Sequence, residues 1–395
     1  MERAAAMLVG MAQADSTVKS GRDHADLPNE AEALLTQARA AGLAAGLSAV
    51  ETIAAQTLEP ARSVLGQRKA AGLAGSMQFT YRNPNRSTDP WASLPSAQSM
   101  LVALQTYRGS TGDSEPCSGL VGRQARYAAD ETYAQLRAGL EAMAGELRRA
   151  GHKAVVVADS NALVDRNGAW LAGLGWYGKN TNLLNRDLGS WFVIGAVITN
   201  APLPRLFRPV LPADDGCGSC TLCIEACPTE ALVAPGVLDA SACISWMVQA
   251  AEPIPLALRS AVGDRLYGCD ICQEVCPPSR VALGNMAQPD SSHRTTDATA
   301  GAEAHDEIDL EWILTASDDE LLAELKSWYI ANRDPNVIRR TALVVLGNVG
   351  HCDLDRALVL LEPYLTHPEP LIAEHAHWAM KQLKPTYVSG GGENQ

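Results

Sequence analysis

Apolar positions recur with a helical period in some stretches and run together in others, and the changes between the two mark the first elements. From about Glu30, the residues Leu34, Leu35, Ala38, Ala41 and Gly42 line one face of a helix that closes near Gly46. Leu58 to Ala71 continues as helical sequence until Gly72 and Gly75 break it. Ser99 to Leu104, with Met100, Leu101, Val102 and Ala103 in succession, is a short apolar run bounded by turn formers and predicts a buried strand. Asp130 to Arg149 has helical spacing through Leu136, Leu140, Met143 and Leu147, and Ala154 to Ala158 predicts a second strand. Strand, helix, strand points to an α/β core. Leu171 to Asn185 then carries Gly173, Gly175 and Gly178, residues suited either to turns or to close approach of a ligand, before another strand-like run from Trp191 to Thr199.

The pattern changes after Pro202, Pro204, Pro209 and Pro212, where a cysteine-rich segment begins. Asn285 to Glu307 is polar, lacks periodicity and reads as a linker. From Leu310 to Leu383 the spacing is helical again, in pairs joined at Asp334-Pro335-Asn336 and at His367-Pro368-Glu369-Pro370. Helix pairs repeating at roughly thirty residues suggest a short α-solenoid piece. The expected organisation is an extension over 1–30, an α/β domain over 31–210, a cysteine domain over 211–285, a linker over 286–308, a helical repeat domain over 309–386 and a disordered tail over 387–395.

Length and composition narrow the function classes. A chain of 395 residues calls for two or three domains, and 47% hydrophobic content excludes wholesale disorder. With no run of 18 apolar residues and no signal-peptide layout, a soluble cytoplasmic protein without a membrane partner is expected. The net charge of −13 requires any nucleic acid to be met by a local patch. Eight of the ten cysteines fall between Cys217 and Cys276, which in a chain without an export signal reads as metal or redox chemistry before it reads as a disulfide framework. Cys117 and Cys352 stand apart and are expected to be buried small hydrophobes.

Cys217-x2-Cys220-x2-Cys223-x3-Cys227-Pro228 is the bacterial ferredoxin run, in which three thiolates hold one [4Fe–4S] cluster and the fourth reaches a second. Cys269-x2-Cys272-x3-Cys276-Pro277 supplies a second run lacking its first cysteine, and Cys243 replaces it. The crossing rule assigns Cys217, Cys220, Cys223 and Cys276 to one cluster, and Cys227, Cys243, Cys269 and Cys272 to the other. Paired C-x2-C also builds zinc ribbons, but the full C-x2-C-x2-C-x3-C-P pattern favours iron–sulfur. The C-x3-C-x2-C of a radical adenosylmethionine enzyme is missing, as are a G-x-G-x-x-G after a strand and a P-loop. Two clusters form an electron relay whose acceptor lies elsewhere in the chain.

Upstream lie Asp159-Ser160-Asn161-Ala162, Ala172-Gly173-Leu174-Gly175-Trp176-Tyr177-Gly178-Lys179-Asn180-Thr181-Asn182 and Asn185-Arg186-Asp187-x-Gly189-Ser190-Trp191. Together with the cysteine pattern and Arg265-x-Tyr267-Gly268-Cys269-Asp270, this resembles the epoxyqueuosine reductase family over roughly residues 70–385. The resemblance implies an α/β cobalamin-binding core, a ferredoxin-like double [4Fe–4S] domain and C-terminal α-helical HEAT-like repeats. It further implies an oxidoreductase that reduces epoxyqueuosine to queuosine in the tRNA anticodon loop. An unidentified low-potential electron donor and a monomeric state are also expected.

Residue by residue, the resemblance makes Asp159 the proton donor, a role that suits a carboxylic acid of raised pKa in a closed pocket. It places Arg82, Asp159, Lys179, Asn180, Leu183, Ser245 and Asp270 against cobalamin. Many family members carry His where this chain has Asn180, and no Asp-x-His-x-x-Gly motif is present, so the cobalamin is expected to bind without a protein histidine below the cobalt. Arg339 and Arg340, at the start of a C-terminal helix, are expected to contact tRNA. Two other classes fit parts of the pattern. A reductive dehalogenase-like enzyme acting on a small molecule would have no need of the helical repeat, and a pure electron-transfer module would have no need of Asp159 and the glycine loop.

Overall fold

The computed structural model describes residues 28–107, 119–129, 131–204, 216–287 and 306–384. The expected N-terminal extension, most of the linker, the tail and Cys117 lie outside the described residues, although residues 28–30 belong to the first helix.

The first half is organised by a four-stranded sheet. Its strands are β1 (Ala49–Ala54), β2 (Ser99–Thr106), β4 (Ala154–Ala158) and β5 (Phe192–Thr199), in the order β1-β2-β5-β4, and every neighbouring pair is antiparallel. Strands β2 and β4 therefore run parallel to each other on either side of β5. The predicted strand, helix, strand order is thus a split crossover rather than an adjacent parallel pair. β1 was not anticipated, because its alternation of Val50, Thr52 and Ile53 with half-buried Ala49, Glu51 and Ala54 is short and interrupted by a polar residue on the buried side.

Helices cover both faces of the sheet. α1 (Pro28–Ala44) packs on α3 (Thr132–Arg149), and α3 lies across β2, β4 and β5. The strand period of two sorts side chains into two cores. Leu101, Ala103, Val193 and Val197 meet Leu136, Leu140, Met143 and Leu147 of α3, whereas Met100, Val102, Leu104, Ile194 and Ile198 meet Leu58, Leu163, Ala169 and Leu174 on the other side. Burial on both faces explains why these strands read as continuous apolar runs. Gly195 is needed at the centre, since a Cβ there would come within 2.6 Å of Leu140 Cδ1. α2 (Glu59–Ala70) and α4 (Asp165–Leu171) lie on the second side.

A smaller sheet ties the chain together. Its central strand, β3 (Val121–Gln124), pairs in parallel with β6 (Arg265–Tyr267) and antiparallel with β7 (Glu307–Asp309). The end of the expected linker is therefore a strand.

The cysteine segment is built from short helices: α5 (Leu222–Glu225), α6 (Ile244–Met247), α7 (Ile271–Glu274) and α8 (Pro277–Ala287). Beyond β7 come α9 (Leu310–Thr315), α10 (Asp318–Glu324), α11 (Pro335–Val349), α12 (Leu354–Leu361) and α13 (Pro370–Leu383). Their starts follow the sequence signals. Ser317 and Glu320 form a capping box on α10, and Asp334 accepts from Asn336 N ahead of Pro335 at the start of α11. One hydrophobic core joins Ile244, Met247, Val248, Ile254 and Leu266 of the cysteine half to Leu343, Leu346, Ile372 and Ala376 of α11 and α13. The C-terminal helices are thus packed onto the cysteine domain rather than hung from it.

Candidate functional site

The eight cysteines fall into two groups by their mutual influence. Burial raises the Cys223 thiol, and the neighbouring Cys276, Cys217 and Cys220 raise it further; Cys276 is raised by burial and then by Cys217 and Cys220. In the second group, burial raises Cys243, which also feels Cys227. Cys269 is pushed up to about 12 by burial, with Cys243 adding to it. Cys272 is raised by burial and by Cys269 and Cys243, with a smaller influence from Cys223 across the groups. A buried thiolate among like charges is unstable on its own, and coordination to iron is the chemistry that offsets that cost. Short helices present these sulfurs: Cys223 lies in α5, Cys243 immediately precedes α6, Cys272 lies in α7 and Cys276 precedes Pro277 of α8. Cys352, by contrast, is half-buried and disulfide-bonded, which corrects its reading as a buried apolar filler.

The glycine-rich loop braces the cysteine turns. Lys179 Nζ donates to Gly218 O at 2.5 Å and Cys220 O at 3.0 Å, and Asn180 Nδ2 donates to Cys272 O at 3.2 Å. Both polar heads are therefore spent on the backbone that carries thiols of both groups. Leu183 is buried in the core beneath the sheet. Asp270 is also buried; its carboxylate accepts from Arg126 N at 2.8 Å and from Gln273 Nε2 at 2.7 Å, and burial raises its pKa to about 6. Of the seven residues expected against a cofactor, Arg82, Asp159 and Ser245 keep side chains at least partly open to solvent and free of such bonds, whereas Lys179, Asn180, Leu183 and Asp270 are committed within the protein.

Asp159 immediately follows β4 with φ of 45°, the left-handed region that a non-glycine residue enters at a cost of about 1–3 kcal/mol. Its side chain remains open to solvent, yet the surrounding protein excludes enough water to raise its pKa, and the Arg137 guanidinium offsets part of that rise. Asp165, near the same turn, is raised by burial and additionally by Asp159. Tyr133 and Tyr267 both respond to the Asp159 charge, and burial raises the pKa of each, Tyr267 to about 12. These neighbours carry no short motif; Tyr133 and Arg137, one turn apart on α3, and Asp165 were missed because only the fold turns them toward Asp159.

Beside this turn a cleft of roughly 330 Å³ is lined by Phe79, Arg82, Asn83, Arg86, Ser87 and Asn161. Phe79 is 48% exposed, and the Arg82 and Arg86 guanidinium groups have no partner among the described residues.

Arg339 and Arg340 are not placed to meet RNA. Arg340 is fully buried and donates to the carbonyl oxygens of Ala250 at 2.7 Å, Met247 at 3.0 Å and Val248 at 3.2 Å, and also to that of Glu252. Arg339 is 9% exposed, pairs with Asp318 at 2.5 Å and donates to Ala316 O at 2.9 Å. Arg340 is spent on the interior and Arg339 on Ala316 O and the exposed Asp318, so neither presents a free guanidinium to tRNA, contrary to their expected role.

Residues 216–279 match the family model of the 4Fe-4S double cluster binding domain. Over 323 residues the chain is 31% identical to epoxyqueuosine reductase of Vibrio cholerae, an alignment covering 79% of this chain and 82% of that protein. The chain belongs to the epoxyqueuosine reductase family. The corresponding enzyme of Xanthomonas campestris is 32% identical, with 79% of this chain and 86% of that protein covered. A crystal structure of epoxyqueuosine reductase with an epoxyqueuosine-modified tRNA-Tyr stem loop superposes with a TM-score of 0.76 at 25% identity, covering 89% of this chain and 91% of that one. The Bacillus subtilis enzyme, solved with its catalytic aspartate loop swung out of the active site, superposes with a TM-score of 0.74 at 26% identity and the same coverage. The family is one of oxidoreductases, and its fold and double-cluster domain are those described above.

Proposed function

We propose that this protein reduces epoxyqueuosine to queuosine in the anticodon loop of tRNA, using two [4Fe–4S] clusters and cobalamin, with Asp159 as the proton donor. The observation that carries this reading is the Asp159 turn: a strained, solvent-open carboxyl of raised pKa in the same molecule as two four-thiol groups. The catalytic aspartate loop of the Bacillus subtilis relative and the modified tRNA stem loop bound by another relative support the same assignment.

Removing an epoxide oxygen as water takes two electrons and two protons. When bound, cobalamin supplies the cobalt chemistry that delivers the electrons to carbon. The chain's own groups do the rest. Cys217, Cys220, Cys223 and Cys276 hold one cluster, and Cys227, Cys243, Cys269 and Cys272 the other, in line with their grouping by mutual influence. A protonated Asp159 gives its proton to the leaving oxygen, and the burial that raises its pKa favours that protonated form. A cobalamin carries amide and phosphodiester oxygens, and the cleft beside Asp159 offers the matching donors in the unpartnered Arg82 and Arg86. Ser245, half-buried beside Cys243, completes the accessible candidates for that cofactor.

In this reading residues 31–210 form the cobalamin-binding domain, 211–285 the cluster domain, and 309–386 a short HEAT-like unit. The protein works as a cytoplasmic monomer with a low-potential electron donor. The test is anaerobic reconstitution with iron, sulfide and cobalamin, followed by incubation of epoxyqueuosine-containing tRNA with a strong reductant and nucleoside analysis. Absence of queuosine from protein carrying both clusters and cobalamin would overturn the assignment. Asp159→Asn should retain all cofactors and lose turnover.

A further inference from the structure

The Asp159 turn is held at both ends by side chains that no motif singled out. On the near side, Arg137 Nη2 on α3 donates to the carbonyl oxygen of Ala158 at 2.7 Å. On the far side, the buried Ser87 Oγ donates to Asn161 O at 2.6 Å, and the Ser87 carbonyl accepts from Val164 N at 2.8 Å. Between these two ties lie Asp159, with φ of 45°, and Ser160, whose Oγ accepts from Ala162 N at 3.2 Å. A left-handed aspartate persists only where its surroundings fix it. Released from the first tie, the turn has an easier backbone conformation to fall into.

We propose that Arg137 is a positioning residue for the proton donor: by holding the Ala158 carbonyl it keeps the Asp159 carboxyl in its reactive placement, with Ser87 as the fixed pivot beyond it. This rests on the reading of Asp159 as the acid. The same guanidinium has a second effect, because it lies close enough to Asp159 to stabilise the carboxylate left after proton donation. The other titratable groups facing Asp159 are Tyr133 from α3, Asp165 from α4 and Tyr267 from β6. Tyr133 and Tyr267 stay neutral over the working range, and Asp165 opposes the Asp159 charge. Arg137 is therefore the cation that holds down the pKa of Asp159 against the effect of burial.

The reconstituted full-length enzyme distinguishes positioning from bulk stability. In Arg137→Met, single-turnover reduction of epoxyqueuosine tRNA should slow by on the order of tenfold to a hundredfold, the cost of a small misplacement of a catalytic group. Cluster absorbance and the KM for tRNA should be unchanged, and any fall in Tm should be modest, as for the loss of one hydrogen bond. The limb on which activity falls as Asp159 deprotonates should move to higher pH, because loss of the cation raises the acid's pKa. Arg137→Lys, which keeps the charge and one donor, should recover part of the rate and most of the pH profile. Amide exchange over residues 159–162 should quicken in Arg137→Met even without cofactors. In the Asp159→Asn background, adding Arg137→Met should cause no further loss. Unaltered rate and pH profile in Arg137→Met, or an additive loss on top of Asp159→Asn, would overturn the proposal. Full activity in Asp159→Asn alone would instead remove the underlying assignment of the acid.

Discussion

Tyr267 and Trp328 stack face to face, with ring centroids 4.2 Å apart and planes within 12°. Tyr267 is two residues from Cys269, and Trp328 follows α10, so the contact seats the C-terminal helices directly beside one thiol group. The pair is extended by hydrogen bonds: Trp328 Nε1 donates to Gln124 Oε1 at 3.1 Å, and Tyr267 Oη accepts from Tyr329 N at 2.7 Å. Trp328→Ala removes a buried ring from this junction and should cost about 3–5 kcal/mol in chemical denaturation. Trp328→Phe, which keeps an aromatic face but loses the indole donor, should cost about 1–2 kcal/mol less than that.

The Arg340 interior role makes a sharp contrast with a surface arginine. Arg340→Met leaves the carbonyls of residues 247–252 without their donor, and each unsatisfied buried acceptor costs about 1–3 kcal/mol, so a loss of at least about 3 kcal/mol is expected in equilibrium unfolding. Arg339→Gln should leave the slope of tRNA affinity against salt unchanged, because its guanidinium is already paired with Asp318. A slope reduced by about one in a filter-binding or anisotropy titration would return Arg339 to the RNA interface.

What could be read from the sequence follows the locality of its cause. Ala154–Ala158 and α3 announce themselves through consecutive apolar residues and four-residue spacing, and the cysteine runs through fixed offsets along the chain. The antiparallel sheet was not legible, because β2 and β4 are both paired to β5, which arrives some forty residues after β4 begins. The small sheet escaped notice because β3, β6 and β7 are three or four residues each and become strands only by finding one another. The same reason hid Arg137: its partner is a main-chain carbonyl across the fold, and backbone acceptors leave no mark in a sequence. Arg339 and Arg340 were misread for the opposite reason, since a pair of arginines at a helix start looks the same whether it faces solvent or a buried row of carbonyls.

The proposed crossed ligation of the two clusters gives a spectroscopic prediction. Cys276→Ala should perturb the cluster whose other ligands are Cys217, Cys220 and Cys223, although Cys276 lies in the same sequence run as Cys269 and Cys272. Cys227→Ala should perturb the other cluster. Each variant should lose about half of its iron, from roughly eight to roughly four atoms per chain, and the electron paramagnetic resonance signals lost in the two should differ. Loss of the same signal in both would refute the crossing.

Acid should loosen the C-terminal core through one histidine. His375 is fully buried on α13, its Nε2 accepts from Ile254 N at 3.3 Å, and its pKa is lowered to about 4, chiefly by burial and then by the nearby Arg259. In the unfolded chain the same ring titrates near 6.5. Protonation therefore favours the unfolded state: the stability that depends on neutral His375 is complete above about pH 6.5 and is lost progressively as pH falls toward about 4. Protonation would also put a cation beside Arg259 and take away the acceptor used by Ile254 N, the segment that Arg340 holds from the other side. Thermal melts of the wild-type protein at a series of pH values should show Tm falling across that window. His375→Gln keeps an uncharged polar side chain and should lower Tm at pH 7.5 but flatten the decline. A wild-type slope retained in His375→Gln would assign the acid sensitivity to another group.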